Sequence, residues 1–209
     1  MTSPSAPGKA ITYDPIVVSS ESTVVAEYVP DAAAEAAYQS EAELERELIR
    51  LLESQAYEYL PITSEAALIA NLRGQLERLN QITFSDAEWT QFFGERIASA
   101  NDGITEKTVR IQDDHIQLLK RDDGTTKNIS LIDKKSIHNN RLQVINQYEV
   151  PAAASPDAAA PRYANRFDVT ILVNGLPMVH IELKRRGVDL REAFNQINRY
   201  SRDSFWAGS

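Results

Sequence analysis

Two acids and one amine, Asp168, Glu182 and Lys184, fall inside one stretch, Phe167-Asp168-Val169-Thr170-Ile171-Leu172-Val173-Asn174-Gly175-Leu176-Pro177-Met178-Val179-His180-Ile181-Glu182-Leu183-Lys184. Asn174-Gly175 between two β-rich runs is a strong hairpin signal. Strand side chains alternate between faces, so hydrophobicity fixes the register. Centring a three-residue loop on Gly175 sets Val173 against Pro177, Ile171 against Val179 and Val169 against Ile181, an unbroken apolar face. The opposite face then carries Asp168 across from Glu182, and Lys184 two residues further along.

Residues directly opposed in an antiparallel pair have Cβ atoms about 4.5–5.5 Å apart, and two carboxylates that close repel unless one is protonated or a cation lies between them. Hard oxygen ligands open to water suit Mg²⁺, which takes much of its shell from water and phosphate. A cation there can polarise a phosphoryl oxygen while Lys184 positions water or stabilises developing charge, the chemistry of phosphodiester hydrolysis. Glu-x-Lys alone also describes a solvated pair on an exposed strand, and the shared face of Asp168 is what favours a site.

Asp189 and Glu192 have capping-box spacing and predict a helix from Leu190 to about Arg202. Gln196 and Tyr200, four apart, share one side of it, facing either a substrate strand or the core and surface. Arg185, Arg186, Arg191 and Arg199 are available to phosphates.

The elements that must hold these residues follow from periodicity. Residues 1 to 40 are rich in Ser, Pro and Ala and read as an arm or extension, leaving 41–209 as the functional domain. Leu44, Leu48, Leu51 and Leu52 form a helical stripe from Glu41 to Tyr57. Leu68, Leu72, Leu76 and Leu79 form another from Ser64 to Asn80, and Ser85 with Glu88 opens a third helix that turns Trp89, Phe92, Phe93 and Ile97 inward. A hairpin is predicted around Asp122-Asp123-Gly124, a half-buried strand from Leu142 to Val150, an exposed connection over Pro151 to Pro161, and the next strand near Tyr163. The fold class is α/β, a mixed central sheet flanked by helices.

Composition closes several alternatives. The sequence has no cysteine, so disulfides, thiolate zinc sites and cysteine nucleophiles are excluded. No apolar run approaches the roughly 18 residues of a membrane span, and the N-terminus lacks the apolar stretch of a signal peptide, so a cytoplasmic protein without membrane contact is expected. A net charge of −8 disfavours binding nucleic acid by bulk electrostatics, but residues 162–209 carry eight basic against five acidic residues. No GxxxxGK loop is present, so ATP chemistry is not encoded here.

The stretch NRFDVTILVNGLPMVHIELKRRG, followed by REAFNQINRYSRDSFW, resembles the endonuclease domain of the R (restriction and motor) subunit of type I restriction enzymes, a PD-(D/E)xK nuclease. The resemblance extends from about Ser40 and is strongest from Arg162 onward. It implies a restriction-endonuclease-like core, Asp168 and Glu182 as metal ligands, Lys184 as the catalytic lysine, and Gln196 and Tyr200 as the family's Q-x-x-x-Y pair. Such nucleases often carry an acid on the helix before the sheet; Glu45 fits that place, with Glu47 as the competing choice. The resemblance further implies a type I site-specific deoxyribonuclease with Mg²⁺ in this domain, double-stranded DNA as substrate, and methylase and specificity subunits as partners. ATP would serve only C-terminal motor domains of the same subunit, absent from this chain, which then reads as an N-terminal fragment cutting without sequence choice of its own. A non-catalytic module that keeps the nuclease fold as a docking surface for DNA or subunits is the alternative.

Overall fold

The computed structural model describes residues 13–18, 24–28, 40–99, 101–150, 165–185 and 191. The chain divides into two compact units, Met1–Gln39 and Ser40–Ser209. In the first, β1 (Tyr13–Val18) and β2 (Val24–Tyr28) pair antiparallel, Tyr13 opposite Tyr28 and Val18 opposite Val24. Residues 1–40 read as an arm without period, yet they contain this pair; the strands are short, and the register shifts between Pro15 and Val17, which breaks the alternation that would reveal them.

The second unit opens with α1 (Glu41–Ser54), whose start is fixed by a capping box between Ser40 and Glu43. The helix stops short of the expected Tyr57 because Ala56 takes a left-handed backbone (φ 69°). Leu52 is buried with Leu48 and Ile49 beside it, whereas Leu51, expected in the stripe, is 53% exposed. The four-residue spacing of Leu48 and Leu52 carries the contact line past it. β3 (Glu58–Tyr59) follows, then α2 (Glu65–Asn80), capped by Ser64 and burying Leu68, Leu72 and Leu76 completely.

α3 (Asp86–Phe92) begins at the expected Ser85–Glu88 capping box and passes into a π-helical turn, Phe93–Ile97. α4 (Ile104–Gln112) was not anticipated; none of its residues is fully buried, and Ile104 and Val109 lie exposed. β4 (Ile116–Lys120) and β5 (Thr126–Ser130) form the expected hairpin as a separate two-stranded sheet. Leu119, Ile129 and Leu131 close over Phe84, Trp89 and Phe92 and over Leu72 and Leu76 of α2.

The main sheet has the order β3-β6-β7-β8, with β6 (Leu142–Val150), β7 (Asn165–Val173) and β8 (Leu176–Ile181). β3 runs parallel to β6 and the other pairs are antiparallel, the mixed sheet expected of the fold class. Leu48, Ile49 and Leu52 of α1 pack against Val144, Val169, Ile171 and Ile181. Leu68 of α2 packs with Ile145, Leu172, Tyr148 and Phe167. Helices therefore cover both faces, and the face predicted to be polar also buries Thr170 and Leu172.

The β7–β8 register corrects the sequence reading at its tip. Val169 pairs with Ile181 and Ile171 with Val179 as expected, but Val173 meets Leu176, and Leu172 meets Pro177. The loop is the two-residue turn Asn174-Gly175, both at positive φ (51° and 81°), the conformation that matches strand twist. A register shift between Ile171 and Leu172 absorbs the odd residue at Met178 and restores the expected pairing beyond it.

The connection at 151–161 lies outside the described residues, as does the predicted helix from Leu190 apart from Arg191, which is helical. Among the described residues no helix is long and apolar enough to cross a membrane.

Candidate active site

The hairpin is anchored at its turn, far from its acids. Asn174 is fully buried; its carboxamide donates to Leu131 O (3.1 Å) and Asn140 Oδ1 (2.8 Å) and accepts from Arg141 N (2.8 Å). Gly175 lies so close to α2 that a Cβ there would stand 2.6 Å from Leu72 Cα. With the tip fixed, the register delivers Val169 opposite Ile181; Asp168 is the next residue of β7, and Glu182 follows immediately after the end of β8.

Their side chains do meet. Asp168 Oδ2 accepts from Leu183 N at 2.9 Å, so the acid of β7 is tied to the backbone between Glu182 and Lys184. Lys184 Nζ donates to Glu182 Oε1 at 3.0 Å, and the pair is nearly dry, 17% and 5% exposed. Burial raises the Glu182 carboxyl above its ordinary range, the Lys184 hydrogen bond opposes this, and the Asp168 charge raises it again. Burial alone would depress the Lys184 ammonium; the Glu182 hydrogen bond and the charges of Glu182, Asp168 and Glu41 more than reverse that, so it is held protonated. The three residues singled out by spacing thus form one coupled group at the end of the sheet.

Asp168 and Glu182 are the carboxylates that could hold a cation. Among the described residues no group of three or more His, Asp or Glu side chains converges on one point, so a cation on this pair would complete its shell with water or phosphate oxygen. Glu45 faces the sheet from α1: Oε1 accepts from Asn146 Nδ2 at 2.7 Å, and Oε2 accepts from Gln147 Nε2. Glu47 is exposed on the same helix. Arg185 is exposed, and its backbone N–H donates to Glu41 Oε1 at 3.3 Å. Arg191 is exposed, while Arg186, Gln196, Arg199 and Tyr200 lie outside the described residues.

Sequence reasoning missed Glu41, which reaches both Lys184 and Arg185; it stands one turn before Glu45, and that i,i+4 spacing was the available signal. Asn146 and Gln147 were also missed, and no spacing rule marks them. His180 completes the surroundings, Nδ1 3.0 Å from Thr170 Oγ1 and its ring stacked 4.1 Å from that of Phe167.

Residues 38–208 match the family model described as type I restriction enzyme R protein N terminus. The chain belongs to that family. Among its relatives is the type I restriction enzyme EcoprrI endonuclease subunit of Escherichia coli, 48% identical over 192 residues, covering 91% of this chain and 58% of the relative. The SauMSSORF170P endonuclease subunit of Staphylococcus aureus (strain MSSA476) is 38% identical over 170 residues, 81% of this chain and 17% of that protein. The SsaAORF53P endonuclease subunit of Staphylococcus saprophyticus is 38% identical over 173 residues, 80% and 17% respectively. This member of the R protein N-terminal family therefore spans a little over half the length of one relative and about a sixth of the others.

Proposed function

We propose that this chain supplies the DNA-cleaving site of a type I restriction-modification system, a metal-dependent endonuclease domain that hydrolyses phosphodiester bonds without sequence choice of its own. The observation that carries this reading is the meeting of Asp168, Glu182 and Lys184 at the end of β7–β8, within a chain of the R protein N-terminal family. A carboxylate pair in which burial and the neighbouring Asp168 charge push Glu182 toward its neutral form suits a divalent cation such as Mg²⁺. Bound there, that ion would supply positive charge against a phosphoryl oxygen. Asp168 and Glu182 would hold and orient it. Lys184, whose proton is held firmly, serves as a hydrogen-bond donor to the phosphate as charge develops rather than as a general base.

Glu45 is the helix acid of the site, and Gln196 and Tyr200 add the further pair on the sequence match alone. Arg185, Arg186, Arg191 and Arg199 contact backbone phosphates of double-stranded DNA. The methylase and specificity subunits, with C-terminal motor domains that use ATP, complete a cytoplasmic enzyme.

The test is cleavage of supercoiled plasmid by the assembled enzyme carrying Asp168→Ala, Glu182→Ala or Lys184→Ala. Each is expected to reduce cleavage by about 10²-fold or more, with subunit assembly and DNA binding retained. Cutting at the wild-type rate by all three would reject the site. Loss of assembly or DNA binding in their place would favour the docking module.

A further inference from the structure

The sheet changes faces at the strand position opposite Asp168. Along β6, Val144 packs toward α1, and Ile145 toward α2, as alternation requires. Tyr148 should return to the α1 side with Val144, but it packs with Ile145, Leu68 and Leu172 on the α2 side. β7 does the same: Val169 lies with Leu52 and Val144, while Phe167, two residues away, lies with Tyr148 and Leu172. The ladder pairs Asn146 with Val169 and Tyr148 with Phe167, which leaves Gln147 facing Asp168 at the crossover. Gln147 has φ 50°, a left-handed backbone that a residue with a Cβ adopts only when its surroundings impose it.

The surroundings that impose it are visible. In a regular strand Asn146 and Gln147 would point to opposite faces, yet both carboxamides donate to the single carboxylate of Glu45, one to each oxygen. Asn146 also accepts from the Tyr59 hydroxyl at 2.9 Å, which ties the network to β3. Asp168 stands across the ladder from this point, and its carboxylate accepts from Leu183 N–H beside Glu182.

We infer that Asn146 and Gln147 are positioning residues that act through Glu45, the juxtaposition being two consecutive strand amides clasped by one helix carboxylate directly across from Asp168. The clasp holds the crossover in β6, and with it the stretch of ladder across which Asp168 is presented toward Glu182. This rests on the reading of Asp168 and Glu182 as cation ligands. It gives the helix acid a second duty: both its oxygens already accept hydrogen bonds, and its charge gathers the donors that shape the neighbouring strand.

The test uses the intact chain and Mn²⁺ alone, titrated by calorimetry without DNA, together with the Mg²⁺ dependence of plasmid cleavage in the assembled enzyme. Gln147→Gly keeps the left-handed backbone available while removing the amide. Its Mn²⁺ dissociation constant is expected to rise about 10–100-fold, as for losses of groups that orient metal ligands. The Mg²⁺ midpoint should move by a similar factor, with cleavage at saturating Mg²⁺ staying near wild type. Asn146→Ala is expected to behave alike. Unchanged Mn²⁺ affinity in both variants, or a lost maximal rate at an unchanged midpoint, would overturn the inference. Failure of both variants to fold would overturn it too, since the clasp would then be a general support of the sheet. Asp168→Ala separates the two levels: if it binds Mn²⁺ and cleaves like wild type, the reading of the site fails, whereas loss of both there with no effect of Gln147→Gly removes only the positioning role.

Discussion

Burial and the neighbouring Asp168 carboxylate both disfavour the charged form of Glu182, and the Lys184 hydrogen bond offsets them only in part. The consequence for stability has a definite sign. A carboxyl whose pKa is raised in the folded state keeps its proton to higher pH than the unfolded chain does, so its contribution is fully present below the ordinary value of 4.5 and is lost as pH rises through the raised one. In metal-free protein, the melting temperature of wild type relative to Glu182→Gln should therefore fall as pH increases above 4.5, and Mg²⁺ should restore it. Melting curves across pH in chelator check this, and parallel curves for the two proteins would show that Glu182 titrates normally. The carboxylates of Glu88 and Asp133 are shifted the other way by their backbone hydrogen bonds, so only the difference between the two proteins isolates Glu182. Asp168, Glu182 and Lys184 were legible because strand parity is a strict rule; Glu41 and Gln147 were not, because one acts by electrostatics across an unknown helix docking and the other by a backbone conformation without a residue signature.

At the scale of elements, two turns with the same backbone separate conformational strain from steric fit. Gly124 and Gly175 both have φ 81°, but a Cβ at Gly124 would meet open space while one at Gly175 would collide with the backbone of α2 at Leu72. Gly124→Ala should cost about 1–2 kcal/mol, the penalty of a left-handed alanine. Gly175→Ala should cost more, roughly 3 kcal/mol or above once displacement of α2 is added. Denaturant midpoints of the two variants measure the difference, and equal losses would show that α2 yields freely. The hairpin's existence and its pairing beyond Met178 could be read from Asn174-Gly175 and the apolar alternation. The tip could not, since a two-residue turn with a bulge and a three-residue loop give the same register further down the strands. α4 and the β1–β2 pair escaped notice: α4 is a nine-residue helix with no fully buried residue, and a register shift breaks the β1–β2 alternation.

For the whole molecule, the acidic balance belongs to the first 161 residues, and the basic excess lies from Arg162 onward, on the part of the chain that carries the three proposed site residues. Nothing in the sequence resembles a nucleotide-binding loop, so cleavage and ATP hydrolysis should separate. In the assembly proposed above, Glu182→Ala and Lys184→Ala are expected to leave ATP hydrolysis within about twofold of wild type while cleavage falls by about 10²-fold; a matching fall in ATP hydrolysis by a folded variant would contradict that separation. The claim beneath all of this is that two strands bring Asp168 and Glu182 to one cation. Anomalous diffraction from crystals grown with Mn²⁺ measures it most directly: the expected result is a peak within roughly 2.0–2.3 Å of a carboxylate oxygen from each residue. Both carboxylates well ordered, with the peak absent or bound elsewhere, would contradict it.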